Sequence, residues 1–301
     1  MSRTFVVVNP AAGGGRTARA WPRLRDALAH AGLDFDWAAT GAAGDGIELA
    51  RAAARSGHTL VVAVGGDGTV NEVVNGLTSP DGDPLATAGA VLTGRGRDAC
   101  RNFGVPTRLA DAAAALVRGA DATFDLGVAT WASGQRRYFL GAAGAGFDAA
   151  VAARAASIGV RGTLPYLFAV LATVRTSTPT QATLQAAHEV IWQAPLVAAV
   201  VANARHFGGG MRIAPQADPA DGMLDVVVLG ALGRVEMIRW LPTIYWGGHL
   251  ANPKITTRRI ATLTIDAPVP LPTQLDGELA GPTPVTIAAA PRALRLRLPR
   301  G

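Results

Sequence analysis

An aspartate stands among glycines in Gly65-Gly66-Asp67-Gly68-Thr69-Val70-Asn71-Glu72, directly after the apolar run Leu60–Val64 and ahead of a helical pattern over Val70–Leu77. A glycine-rich turn between strand and helix presents backbone N–H groups at the positive end of a helix dipole, where phosphate binds. Glycine also lets the backbone approach a ligand that a side chain would keep away. A carboxylate in such a turn repels phosphate unless a cation lies between them. The loop therefore implies a nucleotide accompanied by Mg2+. An ordinary strand-to-helix turn rarely needs so many glycines and a central acid.

Other chemistry-bearing residues fall in similar places. Val6-Val7-Val8-Asn9-Pro10-Ala11-Ala12-Gly13-Gly14-Gly15-Arg16 is a second junction of strand and glycine loop, with Asn9 and Pro10 to shape the turn and Arg16 to face phosphate. Thr40 follows the next strand at the same edge, as a nucleotide contact or as a simple cap. Gly94-Arg95-Gly96-Arg97-Asp98 follows a fourth strand, and its arginines suit either a triphosphate or a solvated basic loop. Farther on, Leu275-Asp276-Gly277-Glu278 sets two carboxylates around a glycine; one can accept a hydroxyl proton in phosphoryl transfer, although the bare motif is also a common hairpin turn. Asp218-Pro219-Ala220-Asp221-Gly222-Met223 offers oxygens for a hard cation, while its spacing alone favours a metal-free Asp-Gly turn. His30, His58, His188, His206 and His249 are scattered and form no zinc pattern. Gly-Lys-Ser/Thr and His-Arg-Asp motifs are absent, which excludes Walker-type and protein-kinase phosphate binding.

Elements that would position these loops alternate. Strands at Phe5–Val8, Phe35–Ala38, Leu60–Val64 and Ala90–Leu92 exchange with helices at Arg19–Ala29, Gly46–Arg55, Val70–Leu77 and Asp111–Val117. Such a βαβα series predicts a mostly parallel sheet covered on both faces. After Phe124-Asp125-Leu126 short strand-like runs dominate: Tyr138–Leu140, Leu196–Val201, Leu224–Leu229, Ile260–Ile265, Val285–Ala288 and Leu294–Leu298. Gly, Pro, Asp and Asn clusters separate them, as in a sandwich-like antiparallel domain. Helical stretches are expected at Phe147–Ser157, Tyr166–Val174 and Arg234–Trp246. The domain boundary falls near Asp125, and a cleft between two closely packed domains is expected.

With 301 residues, 49% of them hydrophobic, the chain can build two cores. The single cysteine, Cys100, excludes an internal disulfide and fits a reducing compartment. The start lacks the apolar core of a signal peptide, and Leu164–Val174 is too short to span a bilayer. A cytoplasmic protein is expected, with contact at the inner membrane face as an option. The net charge of +6 rests on arginine, with Lys254 the only lysine. No basic run is interleaved with aromatics, so nucleic acid is not an expected partner. Monomer and homodimer both stay open.

Taken in order, these motifs resemble the diacylglycerol kinase catalytic family, in particular bacterial soluble lipid kinases related to sphingosine and ceramide kinases. The resemblance rests on VVVNPAAGGG, GGDGTVNEVVNGL, FDLG at Phe124–Gly127, FLGAAGAGFDAAV at Phe139–Val151, VANARHFGGGMRIAPQADPADGMLDVVV at Val201–Val228, and LDGE. NAD kinases share the GGDG core, but the later motifs look like the lipid kinases. The implied fold is an NAD-kinase-like α/β nucleotide-binding domain, residues 1–125 with a returning strand at about 292–301, followed by a β-rich sandwich-like domain, 126–291. The implied activity is an ATP- and Mg2+-dependent transfer to the hydroxyl of a diacylglycerol-like lipid presented at a membrane surface. A sphingoid-base or NAD kinase, and a non-catalytic lipid or nucleotide sensor, are the alternatives. By position the resemblance implies nucleotide contacts at Asn9, Pro10, Gly13, Thr40, Gly65, Gly66, Asp67, Gly68, Thr69, Asn71 and Arg95. It implies Glu278 as proton acceptor, with Asp276 beside it and Asp67 in the catalytic set, and a structural Mg2+ at Asp218, Asp221 and Met223. Asp67, Asp98 and Asp125 would form an acidic network. One departure stands out: the family reads Gly-Thr-Gly-Asn-Asp where this chain has Gly94-Arg95-Gly96-Arg97-Asp98. Helices Tyr166–Val174 and Arg234–Trp246 are expected either to admit the acyl chain, resting on the membrane, or to pack in the core.

Overall fold

Buried apolar runs alternating with amphipathic segments build a parallel sheet at the start of the chain. The computed structural model of the protein describes residues 3–94, 96–158 and 163–300. The order is β1 (Thr4–Val8), α1 (Ala12–His30), β2 (Phe35–Ala39), α2 (Asp45–Arg55), β3 (Leu60–Gly65), α3 (Asp67–Leu77), β4 (Thr87–Leu92), α4 (Asp98–Phe103) and α5 (Leu109–Arg118). The strands lie in the order β4-β3-β1-β2 and all pair in parallel. Every residue of β3 is buried, which is why its sequence is an unbroken apolar run rather than an alternation. Val6, Val8, Leu28, Leu60, Val62, Val64 and Leu116 form the core on one side.

Two compact units divide the chain: Met1–Leu126 with Ala290–Gly301, and Gly127–Ala289. β5 (Ala120–Trp131) leads from the first into the second. The second unit continues with β6 (Arg136–Phe139), β7 (Ala142–Gly146), α6 (Phe147–Ile158), α7 (Thr163–Thr176), β8 (Thr180–Ala186), β9 (Glu189–Ala202), β10 (Leu224–Gly230) and α8 (Arg234–Trp240). After 3-10 turns at Leu241–Trp246 and Gly248–Ala251 come β11 (Ile255–Ile260), β12 (Thr262–Asp266), β13 (Pro272–Leu275), β14 (Glu278–Pro282) and β15 (Val285–Leu298). Its strands run β14-β13-β7-β9-β8-β12-β15, with β10 between β9 and β11. The far end of β15 rejoins the first unit, where Leu296 pairs in parallel with Ala88 of β4.

Several elements differ from the sequence expectation. α3 begins at Asp67 rather than Val70, so the acid sits in the first helical turn. Ile260–Ile265 is two strands, β11 and β12, separated at Ala261. Val285–Ala288 and Leu294–Leu298 belong to one strand, within which Arg292 takes a left-handed φ of 58°. The α-helix at Arg234 ends at Trp240 and goes on as a 3-10 turn; Pro242, without an N–H, cannot extend the α pattern. Among the described residues no helix is long and apolar enough to cross a membrane.

Candidate active site

In the first unit, the loops leaving the carboxyl ends of β1, β3 and β4 are joined to one another, as expected at the ligand-binding edge of a parallel sheet. Asn9 Nδ2 donates to Thr69 Oγ1 at 3.1 Å, and Asn9 Oδ1 accepts the Ala11 N–H. Thr93 donates its N–H to Gly65 O at 2.8 Å and shares a 2.6 Å hydroxyl contact with Thr17. Arg16 Nη2 reaches Thr93 O. α1 is interrupted at Gly13, Gly14 and Gly15, with φ of 63°, 71° and 80°, a run of left-handed residues that β-carbons would oppose.

Asp67 Oδ1 accepts the N–H of Ala99, tying the start of α3 to the start of α4. Asp98 pairs with Arg101, and Asp125 Oδ1 accepts the Arg292 N–H. Thr40 is buried, its N–H bound to Val8 O. Buried Asn71 accepts from Asn75 Nδ2 inside α3. Gly66 precedes α3, and Gly68 is exposed in its first turn. Arg95 lies outside the described residues. Sequence reasoning gave Glu72 no role of its own, yet its carboxylate accepts the N–H groups of Gly44 and Gly46 and so caps α2. Arg97, immediately before α4, holds a left-handed φ of 57°. Such a conformation costs an ordinary residue about 1–2 kcal/mol and asparagine less. Arg97→Asn is therefore expected to raise stability by up to about 1 kcal/mol, read as a higher melting temperature; an unchanged or lower one would contradict the strain.

In the second unit, Asp276 and Gly277 form a two-residue hairpin loop between β13 and β14, with φ of 49° and 86°. Positive φ at both centres is what a type I′ turn needs, and Asp-Gly is a preferred pair for it. The Asp276 carboxylate accepts three backbone N–H groups: Gly141 and Ala142 on Oδ1, Leu140 on Oδ2. Asn203, fully buried, holds Leu140 O from the other side. The turn is thus clamped to the segment leading into β7. Glu278 stands at its exit, 47% exposed, in an ion pair with Arg137 of β6. Arg137 was missed in the sequence because an arginine on a short strand carries no signal of its partner.

At the predicted metal turn, Asp218 Oδ1 accepts the Ala220 N–H and Asp221 Oδ1 accepts the N–H of Met223. Arg259 pairs with the other oxygen of Asp221. The guanidinium already supplies positive charge at that carboxylate. Among the described residues no group of three His, Cys, Asp or Glu side chains is placed to hold a metal ion.

The second unit also holds an apolar cavity of about 550 Å³, lined by residues that include Val151, Val170, Val200, Met237, Trp240 and Ile244. Its polar members are few. His249 is buried, with Nε2 against Ile213 O at 3.0 Å, and burial lowers its pKa. Asp148, at the start of α6, is bound through Oδ2 by Gln274 Nε2, while its Oδ1 is sealed from solvent. A β-carbon on Gly144 would fall 1.5 Å from Asp148 Oδ2, so the carboxylate occupies space that only glycine leaves. Desolvation lifts the Asp148 carboxyl from 3.8 to about 6, against the opposing Gln274 bond. Between those values the folded state keeps a proton that the unfolded chain has released, so stability falls as pH rises through the window and levels off above it. The full effect is on the order of 3 kcal/mol. Urea titrations across pH 4–8 are expected to show that slope in the native protein and its loss in Asp148→Asn; parallel curves would contradict it.

Fold and site together define a class: an α/β unit with glycine loops at its carboxyl edge and a β-rich unit carrying an acidic hairpin, the architecture shared by lipid and NAD kinases. The pattern of the diacylglycerol kinase catalytic domain matches residues 3–129, and that of the YegS C-terminal NAD kinase beta sandwich-like domain matches 141–298. A diacylglycerol kinase of Mycobacterium tuberculosis is 33% identical over 304 residues, covering 100% of this chain and 96% of that one. The chain belongs to the diacylglycerol kinase catalytic-domain family and, by that membership, is a lipid kinase. The crystal structure of a putative diacylglycerol kinase from Bacillus anthracis superposes with a TM-score of 0.79 at 24% identity, over 99% of this chain and 97% of that one. An NAD kinase from Archaeoglobus fulgidus, in complex with ATP, shares the fold at a TM-score of 0.54 and 12% identity, over 98% and 93% of the two chains.

Proposed function

We propose that the protein transfers the γ-phosphate of ATP to the primary hydroxyl of a diacylglycerol-like lipid. The apolar cavity carries this reading, because walls of Val, Ile, Met and Trp suit acyl chains and give a dinucleotide few polar partners. α7 and α8 extend the argument outward. Val170 and Met237 line the cavity, while Phe168, Val235 and Ile238 are exposed on the same helices and Trp246 on the turn that follows. Exposed Arg234 and Arg239 flank them, a combination that suits the interface of an anionic leaflet.

The glycine loops of the first unit receive the phosphates, and Asp67 would hold Mg2+ together with them. The metal would offset charge on the transferred group when bound. Glu278 accepts the lipid hydroxyl proton as the oxygen attacks phosphorus, and Asp276 keeps the turn in shape. The deciding experiment offers ATP labelled in the γ position to diacylglycerol, sphingosine, ceramide and NAD in parallel. Label on diacylglycerol is expected. Label on sphingosine alone would shift the substrate to a sphingoid base, and label on NAD alone would sink the lipid reading.

A further inference from the structure

Gln274 is fully buried on β13, and both ends of its amide are engaged. Nε2 donates to Asp148 Oδ2 at 2.9 Å, and Oε1 accepts the Gly277 N–H at 2.6 Å. An amide has one accepting and one donating end, while Gly277 offers only a donor and an ionised Asp148 only acceptors. A single orientation of the amide satisfies both partners. The opposite one would set N–H against N–H and oxygen against carboxylate in a buried place, where each unmet polar group costs free energy. The Gly277 N–H and an ionised Asp148 therefore select the same orientation from the two ends of the amide, and Asp148 stands in the wall of the apolar cavity.

We propose that Gln274 is a positioning residue for Glu278. It holds the Gly277 peptide, next to Glu278, in the setting the proton acceptor needs, and Asp148 holds Gln274 in turn. Cavity wall and base are then joined through one amide. The role rests on the reading of Glu278 as the proton acceptor. It differs from that of Asp276, which fixes the turn through the N–H groups of the Leu140–Ala142 segment.

The test exchanges donor and acceptor without changing shape. Gln274→Glu keeps an oxygen for Gly277 but faces Asp148 with a second carboxylate. Adding Asp148→Asn restores a donor opposite an acceptor, with the direction reversed. Two buried carboxyl groups at this spacing hold one proton between them to well above neutral pH, so the effect is read in the alkaline limb of the pH–rate profile, where that proton is lost. There Gln274→Glu is expected to lower kcat by roughly tenfold or more relative to the native protein, with KM for ATP unchanged. The double variant is expected to return to within about threefold of Asp148→Asn alone, the remaining corner of the cycle. A residue that only fills space would show neither change. Hydrogen exchange at the Gly277 amide is read alongside, faster in Gln274→Glu and slow again in the double variant. This signal needs no turnover, so a native protein that labels no lipid would defeat the proposed function while exchange still judges the bridge. Native kcat and native Gly277 exchange in Gln274→Glu would overturn the proposal, as would a double variant no better than the single. Should Gln274→Glu fail to fold, a folded and active double variant supports the bridge and a folded, tenfold slower one overturns it.

Discussion

Glu278→Ala is expected to reduce phosphoryl transfer to lipid by about 10²–10⁴-fold while leaving nucleotide binding intact. The carboxylate is the group at the hairpin exit that is accessible and not locked to backbone donors: it is 47% exposed, with Arg137 as its ion partner. A half-exposed ion pair of this kind contributes about 0–1 kcal/mol to folding, so the variant should melt close to the native protein. The nucleotide loops lie in the first unit and Glu278 in the second, so affinity for ATP is not expected to follow the loss of rate. Transfer of labelled γ-phosphate, together with equilibrium binding of a fluorescent ATP analogue, checks both halves. Native turnover by the variant would remove Glu278 from the chemistry.

Asp276→Ala, two residues away, is expected to behave in the opposite manner. It strips acceptors from three backbone N–H groups and places alanine at a φ of 49°, where aspartate is better tolerated. Each buried donor left without a partner costs roughly 1–3 kcal/mol, and partial relaxation brings the whole to about 3–5 kcal/mol. The variant should therefore lose much of its stability in urea, with activity falling because the hairpin loosens. Asp276→Asn, which keeps one accepting oxygen and tolerates the left-handed conformation, should fall between. If Asp276→Ala unfolds at the native urea concentration, the clamp is not what holds the turn. Measured together, the two acids separate chemistry from architecture within one tripeptide.

How far the sequence speaks depends on the range of the forces involved. The parallel sheet was legible because β1, β3 and β4 carry apolar runs bounded by glycine loops, and those loops declare phosphate chemistry through residues adjacent in the chain. Asp276-Gly277 likewise announced a hairpin, since the pair favours positive φ locally. β7, Ala-Ala-Gly-Ala-Gly, gave no strand signal, because small residues lack the alternation that marks one. β13 and β14, Pro-Thr-Gln-Leu and Glu-Leu-Ala-Gly-Pro, carry neither an apolar run nor an alternation, and Pro291 reads as a break inside what is one strand, β15.

The sequence by itself determined the α/β order, the glycine loops at the strand ends and the Asp-Gly hairpin beside Glu278, all of which follow from neighbours within a few positions. Only the tertiary structure decided which acid is clamped and which is accessible, what pairs with Glu278, and that Asp148 and Gln274 meet beside an apolar cavity. Those contacts join residues separated by more than a hundred positions, Arg137 with Glu278 and Asp148 with Gln274. A hydrogen bond or a burial penalty acts through space, and folding alone brings such partners within reach.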